Sequence, residues 1–162
     1  MSETIQSPSG QAPSDQAPSD QAGAERAELA EQSMAAEAQA RIVVGYSSRP
    51  EGRAALTRAL SEARLRAAAL VVVNTSPDAE AAGLADQLAA SGLNYEIRSA
   101  ADAEDSAEAL IRIAETTAAD FIVIGLRRRS PVGKLLLGSN AQRVLLDAAC
   151  PVLAVKADPD AV

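Results

Sequence analysis

Residues 120–139 read DFIVIGLRRRSPVGKLLLGS, a stretch that assembles the parts of an anion site. The apolar run from Phe121 to Ile124 enters a glycine, Gly125, and three arginines follow at Arg127, Arg128 and Arg129. Thirteen residues after Gly125 come Gly138 and Ser139, at the start of an amphipathic stretch. A helix N-terminus presents unpaired N–H groups and positive dipole, and glycine lets a phosphate approach the backbone closely. Arginines add charge-assisted bonds. The same residues also describe a plain strand–loop–helix crossover with a solvated basic loop. The residues alone leave both readings open.

Composition narrows the chemistry. The chain of 162 residues has no histidine and one cysteine, Cys150. Ser–His and Cys–His nucleophile pairs, histidine zinc ligation and an internal disulfide are therefore absent. Aromatic residues make up 2% of the chain, against 48% hydrophobic residues overall. A core of Ala, Val, Leu and Ile suits helices on a sheet and offers few stacking platforms for single-stranded nucleic acid. Of the net charge of -7, residues 1–40 carry seven acids and one arginine. That leaves 15 acids against 14 bases in residues 41–162, a near-neutral body with no general field for nucleic acid. No apolar run has the length of a membrane span, and the N-terminus lacks the basic and apolar regions of a signal peptide. A cytoplasmic setting is expected.

The elements that must position the arginine loop follow from periodicity. Residues 1–23 hold a degenerate repeat, QSPSG-QAPSD-QAPSD-QAGAE from Gln6, and are expected to form a disordered tail. Residues 24–40, rich in alanine and glutamate, predict a helical linker. From Arg41 the pattern changes: Arg41–Tyr46 reads as a buried strand. Ser48 then caps a helix with Pro50 in its first turn and Glu51 completing a capping box. Its apolar face is Ala55, Leu56, Ala59, Leu60, Ala63 and Leu65. Leu70–Asn74 is a second strand, Asp78–Ser91 a helix stopped by Gly92, and Asn94–Ser99 an alternating, edge-like strand. Glu104–Ala118 is a helix and Phe121–Ile124 a strand. Ser139 opens a further helix to Ala149 with a capping box to Gln142, and Val152–Val155 is the last strand. This order predicts an α/β fold, a five-stranded mostly parallel sheet with helices on both faces, over residues 41–157. Residues 158–162 form a short C-terminal tail.

In such a sheet ligands bind beyond the strand C-termini. That rim gathers Gly45, Tyr46 and Ser47 from the first strand and Thr75, with Asn74, from the second. Ile124, Gly125, Arg127 and Arg128 come from the fourth, and Gly138, Ser139 and Asn140 from the last helix. Tyr46 could stack on a base or shield the pocket. Lys134 reads as a surface residue and Cys150 as a packed structural one.

The 125–139 loop and the strand order resemble the universal stress protein family. Its nucleotide-binding members carry Gly, two residues, Gly, nine residues, then Gly followed by Ser or Thr. Gly125 and Gly138-Ser139 match the outer positions, and VLLDAACPVLAVK and IVVGYSSRPEGRAAL are similar to the family's two ends. Arg128 stands at the middle glycine, and Ser47 stands where an aspartate usually meets the nucleotide. The resemblance implies a Rossmann-like, adenine-nucleotide alpha hydrolase-like fold. It also implies binding of ATP or AMP, with Mg²⁺, in a regulatory stress-response module that is not an enzyme. The family's usual homodimer pairs the last strands, here Val152, Leu153, Ala154 and Val155. The alternative is a nucleotide-independent dimeric interaction protein of the same fold.

Overall fold

A computed structural model describes residues 19–76, 83–100, 105–127 and 137–157. Residues 1–18 of the repeat tail, Asp78, Arg128, Arg129, Lys134 and the C-terminal tail lie outside the described residues. The helix expected from Asp78 instead begins at Leu84, because Gly83 before it takes a left-handed φ of 85°. The chain divides into two units, Met1–Ala38 and Gln39–Val162. In the first, helix α1 spans Ser19–Ala38, so residues 19–23 are helical although the repeat reads as disordered. Its side chains from Gln21 to Met34 are all exposed, as two scattered anchors, Leu29 and Met34, lead one to expect. Among the described residues no helix is long and apolar enough to cross a membrane.

The second unit alternates strand and helix throughout: β1 Arg41–Tyr46, α2 Pro50–Arg66, β2 Ala69–Asn74, α3 Leu84–Ala90, β3 Tyr95–Ser99, α4 Ser106–Thr116, β4 Phe121–Leu126, α5 Ser139–Asp147 and β5 Val152–Lys156. The five strands form one parallel sheet in the order β3-β2-β1-β4-β5. Ile42, Val44 and Tyr46 of β1 point to the face covered by α2 and α3. Val43 points to the face covered by α4 and α5. Because both faces are buried, the central strands are continuous apolar runs rather than alternating ones. The expected α/β architecture is the observed one.

Local details differ where sequence patterns compete. Leu65 is 78% exposed, because it lies nine positions after Leu56, about two and a half turns round the helix. Ser48 does not cap α2: the N-cap is Arg49, without a side-chain cap bond. The Ser48 N–H donates instead to Ser76 Oγ at 2.9 Å, tying the turns after β1 and β2 together. Pro50 in the first turn needs no partner for its nitrogen, so the helix starts without a cap. Helix α4, by contrast, is capped by Asp105, which accepts from the Ala107 N–H at 3.1 Å.

Two helices end on the same device. After α2, Ala67 adopts φ 51°, and the Ala68 N–H donates back to the Ala63 carbonyl at 2.9 Å. After α4, Ala118 adopts φ 49°, and the Ala119 N–H donates to the Ala114 carbonyl at 2.9 Å. Both are Schellman closures in which alanine stands where glycine is the usual residue. Left-handed backbone costs alanine about 1–2 kcal/mol. Ala67→Gly should therefore raise the unfolding free energy by about 0.5–1 kcal/mol in urea titrations. A loss of stability would show that the methyl group is needed for packing.

Candidate functional site

The sheet reverses its winding between β1 and β4. From β1 the chain leaves through α2 on one face, and from β4 it passes to α5 on the other. A crevice must open where adjacent connections diverge, and it lies beyond the strand C-termini. An inner lobe of about 190 Å³ is lined by Gly45, Ser47, Glu51, Thr75, Leu110, Ile124, Gly125, Asn140 and neighbours. An outer lobe of about 490 Å³ is lined by Glu51, Gly125, Arg127, Gly138, Ser139 and Asn140, among others. The two share Glu51, Gly125, Asn140 and Ala141, so they form one cleft. Helices α2, α4 and α5 all begin at this rim and aim their N-terminal dipoles at it.

Of the expected residues, Gly45, Ser47, Thr75 and Ile124 come together in the inner lobe. Arg127, Gly138 and Ser139 meet in the outer lobe, and Gly125 and Asn140 belong to both. Tyr46 does not join them. Its ring is buried in the core under α2 and α3, because the side chain before Ser47 points into that face. Asn74 is also buried, and its Oδ1 accepts from the Ser76 N–H at 3.0 Å. Thr75 Oγ1 donates to the Tyr46 carbonyl at 2.8 Å and fastens the ends of β1 and β2. Ser139 lies within the first turn of α5, whose N-cap is Gly138, a residue with no side chain to make a cap bond.

The glycines of the rim have separate physical reasons. A Cβ on Gly125 would collide with the Glu51 carbonyl, so this glycine lets the first turn of α2 seat directly on β4. A Cβ on Gly52 would collide with the backbone and hydroxyl of Ser47. On Gly45 it would meet a Leu110 methyl at 2.9 Å. Gly138 differs from these three. Among the described residues nothing lies within 4 Å of its absent Cβ, and its φ of -64° is open to any residue. Neither its backbone geometry nor its packing among the described residues asks for glycine there.

The polar groups are paired across long sequence separations. Arg127 Nε bonds Glu51 Oε1 at 2.9 Å, with 16% of the Glu51 side chain exposed. Glu51 reads from sequence only as part of a capping box; its place in the cleft depends on Gly125 bringing α2 onto β4. Asn140 Nδ2 donates to Ser106 Oγ at 2.8 Å, and Arg143 reaches Asp105 at 2.9 Å and Glu108 at 3.4 Å. These bonds hold the starts of α4 and α5 together beside the cleft. Among the described residues no group of three or more acidic or cysteine side chains is placed to hold a metal. Cys150 packs against the α4–α5 core just before β5, away from this rim, and burial pushes its thiol above the usual range.

A universal stress protein from Mycolicibacterium smegmatis is 44% identical over 126 residues, covering 71% of this chain and 96% of the relative. This chain belongs to the universal stress protein family. The model of the Universal stress protein family matches residues 86–156, the stretch that carries β4, the arginine loop and α5. The solved universal stress protein of Archaeoglobus fulgidus superposes with a TM-score of 0.59 at 28% identity, covering 73% of this chain and 98% of its own. A universal stress protein solved in complex with cAMP gives 0.58 at 26% identity, covering 74% and 98%. Within the family's outer motif positions, Gly125 is thus accounted for by helix seating and Gly138 is not. Gly125→Ala should cost about 1–3 kcal/mol, since backbone rather than a flexible side chain must move. Denaturant unfolding measures this; wild-type stability would contradict the close seating.

Proposed function

We propose that the cleft binds an adenine nucleotide, ATP or AMP, and that occupancy rather than turnover is its output. Gly138 carries this reading. A glycine of ordinary φ at a helix start, with open space at its Cβ among the described residues, would leave room and donors for a ligand's phosphate. The inner lobe alone is below the range of about 300–1,000 Å³ usual for ligand sites, and the outer lobe brings the cleft into it. Gly45, Ser47, Thr75 and Ile124 would face the nucleoside. Gly125, Arg127, Gly138, Ser139 and Asn140 would face the phosphates, joined by Arg128 from the loop. Mg²⁺ would accompany a polyphosphate. The cAMP complex of a relative supports the ligand class.

In this reading the protein is a regulatory stress-response module of the cytoplasm. Bound nucleotide would act by its differential affinity for two states of the protein. Mass spectrometry of freshly purified protein should detect co-purified adenine nucleotide. Gly138→Trp should weaken ATP and AMP binding by roughly tenfold or more, about 1.4 kcal/mol, at unchanged melting temperature. Titration calorimetry decides it: unchanged affinity in that variant removes the phosphate from Gly138.

The proposed homodimer pairs β5 with its copy through Val152, Leu153, Ala154 and Val155. β5 ends the sheet beside β4, and Ala154 is exposed in the single chain. Ala154→Arg should shift the protein from dimer to monomer in sedimentation velocity. A dimer that persists in this variant places the interface elsewhere.

A further inference from the structure

Glu51 is the one acidic side chain lining either lobe among the described residues, and it lines both. Three constraints fix it. It stands in the first turn of α2, where the helix dipole favours a carboxylate. Its own carbonyl is seated against Gly125, and Arg127 Nε holds Oε1 at 2.9 Å. No hydrogen bond among the described residues uses its second oxygen, Oε2. An ionised carboxylate only accepts hydrogen bonds, so a ligand must offer it a hydroxyl or amino donor. A phosphate is repelled there. The terminal nitrogens of Arg127 and the start of α5 draw the phosphate into the outer lobe instead.

This arrangement sorts the parts of a nucleotide. If the phosphate takes the outer lobe and the base the inner one, the sugar lies at their shared boundary, beside Glu51. We propose that the Glu51 carboxylate accepts hydrogen bonds from the ribose cis-diol, so that the cleft selects ribonucleotides and binds them in a single direction. The proposal rests on the nucleotide reading above and adds the group that recognises the sugar. Arg127 then serves twice, pinning the carboxylate through Nε and meeting the phosphate through its terminal nitrogens.

Titration calorimetry of the full chain with AMP, 2′,3′-dideoxyAMP and IMP tests it. AMP should bind on the order of 10- to 100-fold more tightly than dideoxyAMP, the range for a hydrogen bond to a charged group. Glu51→Gln should bring the ratio of those two affinities close to one, by weakening AMP more than dideoxyAMP. Equal affinity of the native protein for AMP and dideoxyAMP overturns the proposal, whether or not the variant folds. So does an equal loss for both nucleotides in Glu51→Gln, which would make Glu51 a support for Arg127 only. A variant that loses preference for AMP over IMP would instead place Glu51 at the base amino group. If none of the three binds, the nucleotide reading falls and this one with it.

Discussion

The direct contact between the first turn of α2 and β4 governs the rest of the rim. Strand and helix meet there without an intervening side chain, because Gly125 offers no Cβ to the Glu51 carbonyl. Gly52 repeats the device one residue later against Ser47. With the helix drawn this close, the Glu51 carboxylate reaches Arg127 and becomes a wall of the cleft. Were the helix lifted by the width of a methyl group, that pair would lose its geometry and the two lobes their common boundary. Interiors packed at crystal-like density pass such a displacement on rather than absorb it.

The opposite wall is built differently. Helices α4 and α5 are held at their starts by polar bonds: Asn140 to Ser106, and Arg143 to Asp105 and Glu108. These groups are largely exposed, so water competes for them and each contributes little on its own. One side of the cleft is therefore fixed by steric fit and the other by exchangeable bonds. Adjustment to the proposed ligand would fall on the α5 side, where Gly138 and Ser139 stand.

The fold was legible in the sequence because burial on both faces writes parallel strands as unbroken apolar runs. IVV, LVVV and FIVI each fell where a strand stands, and the intervening 3.6-residue pattern placed the helices. The rim residues were legible through chain order alone, since strand C-termini share one end of a parallel sheet. Side-chain direction was not. Tyr46 turned into the core because strand alternation puts it on the face of Ile42 and Val44. Ser48 was read as a cap, yet its N–H found Ser76, which comes near only once β1 and β2 pair. Glu51 carried no mark of a cleft residue, since its meeting with Arg127 joins positions 76 residues apart. Local patterns gave the elements, and the contacts between them assigned the roles.

The two borders of the sheet are unlike. On β3, Glu96 and Arg98 bind each other in a fork at 2.7 and 3.1 Å, and that bond holds the Glu96 carboxyl below the usual range. Charges along a short border strand oppose pairing with another chain. The strand β5, of sequence VLAVK, carries one charge, and that at its end. A sheet guarded on one side and open on the other can be extended once. In the proposed homodimer, joined edge to edge through β5, two copies would present only guarded borders to solution, and growth would stop at a closed pair rather than run on into a filament.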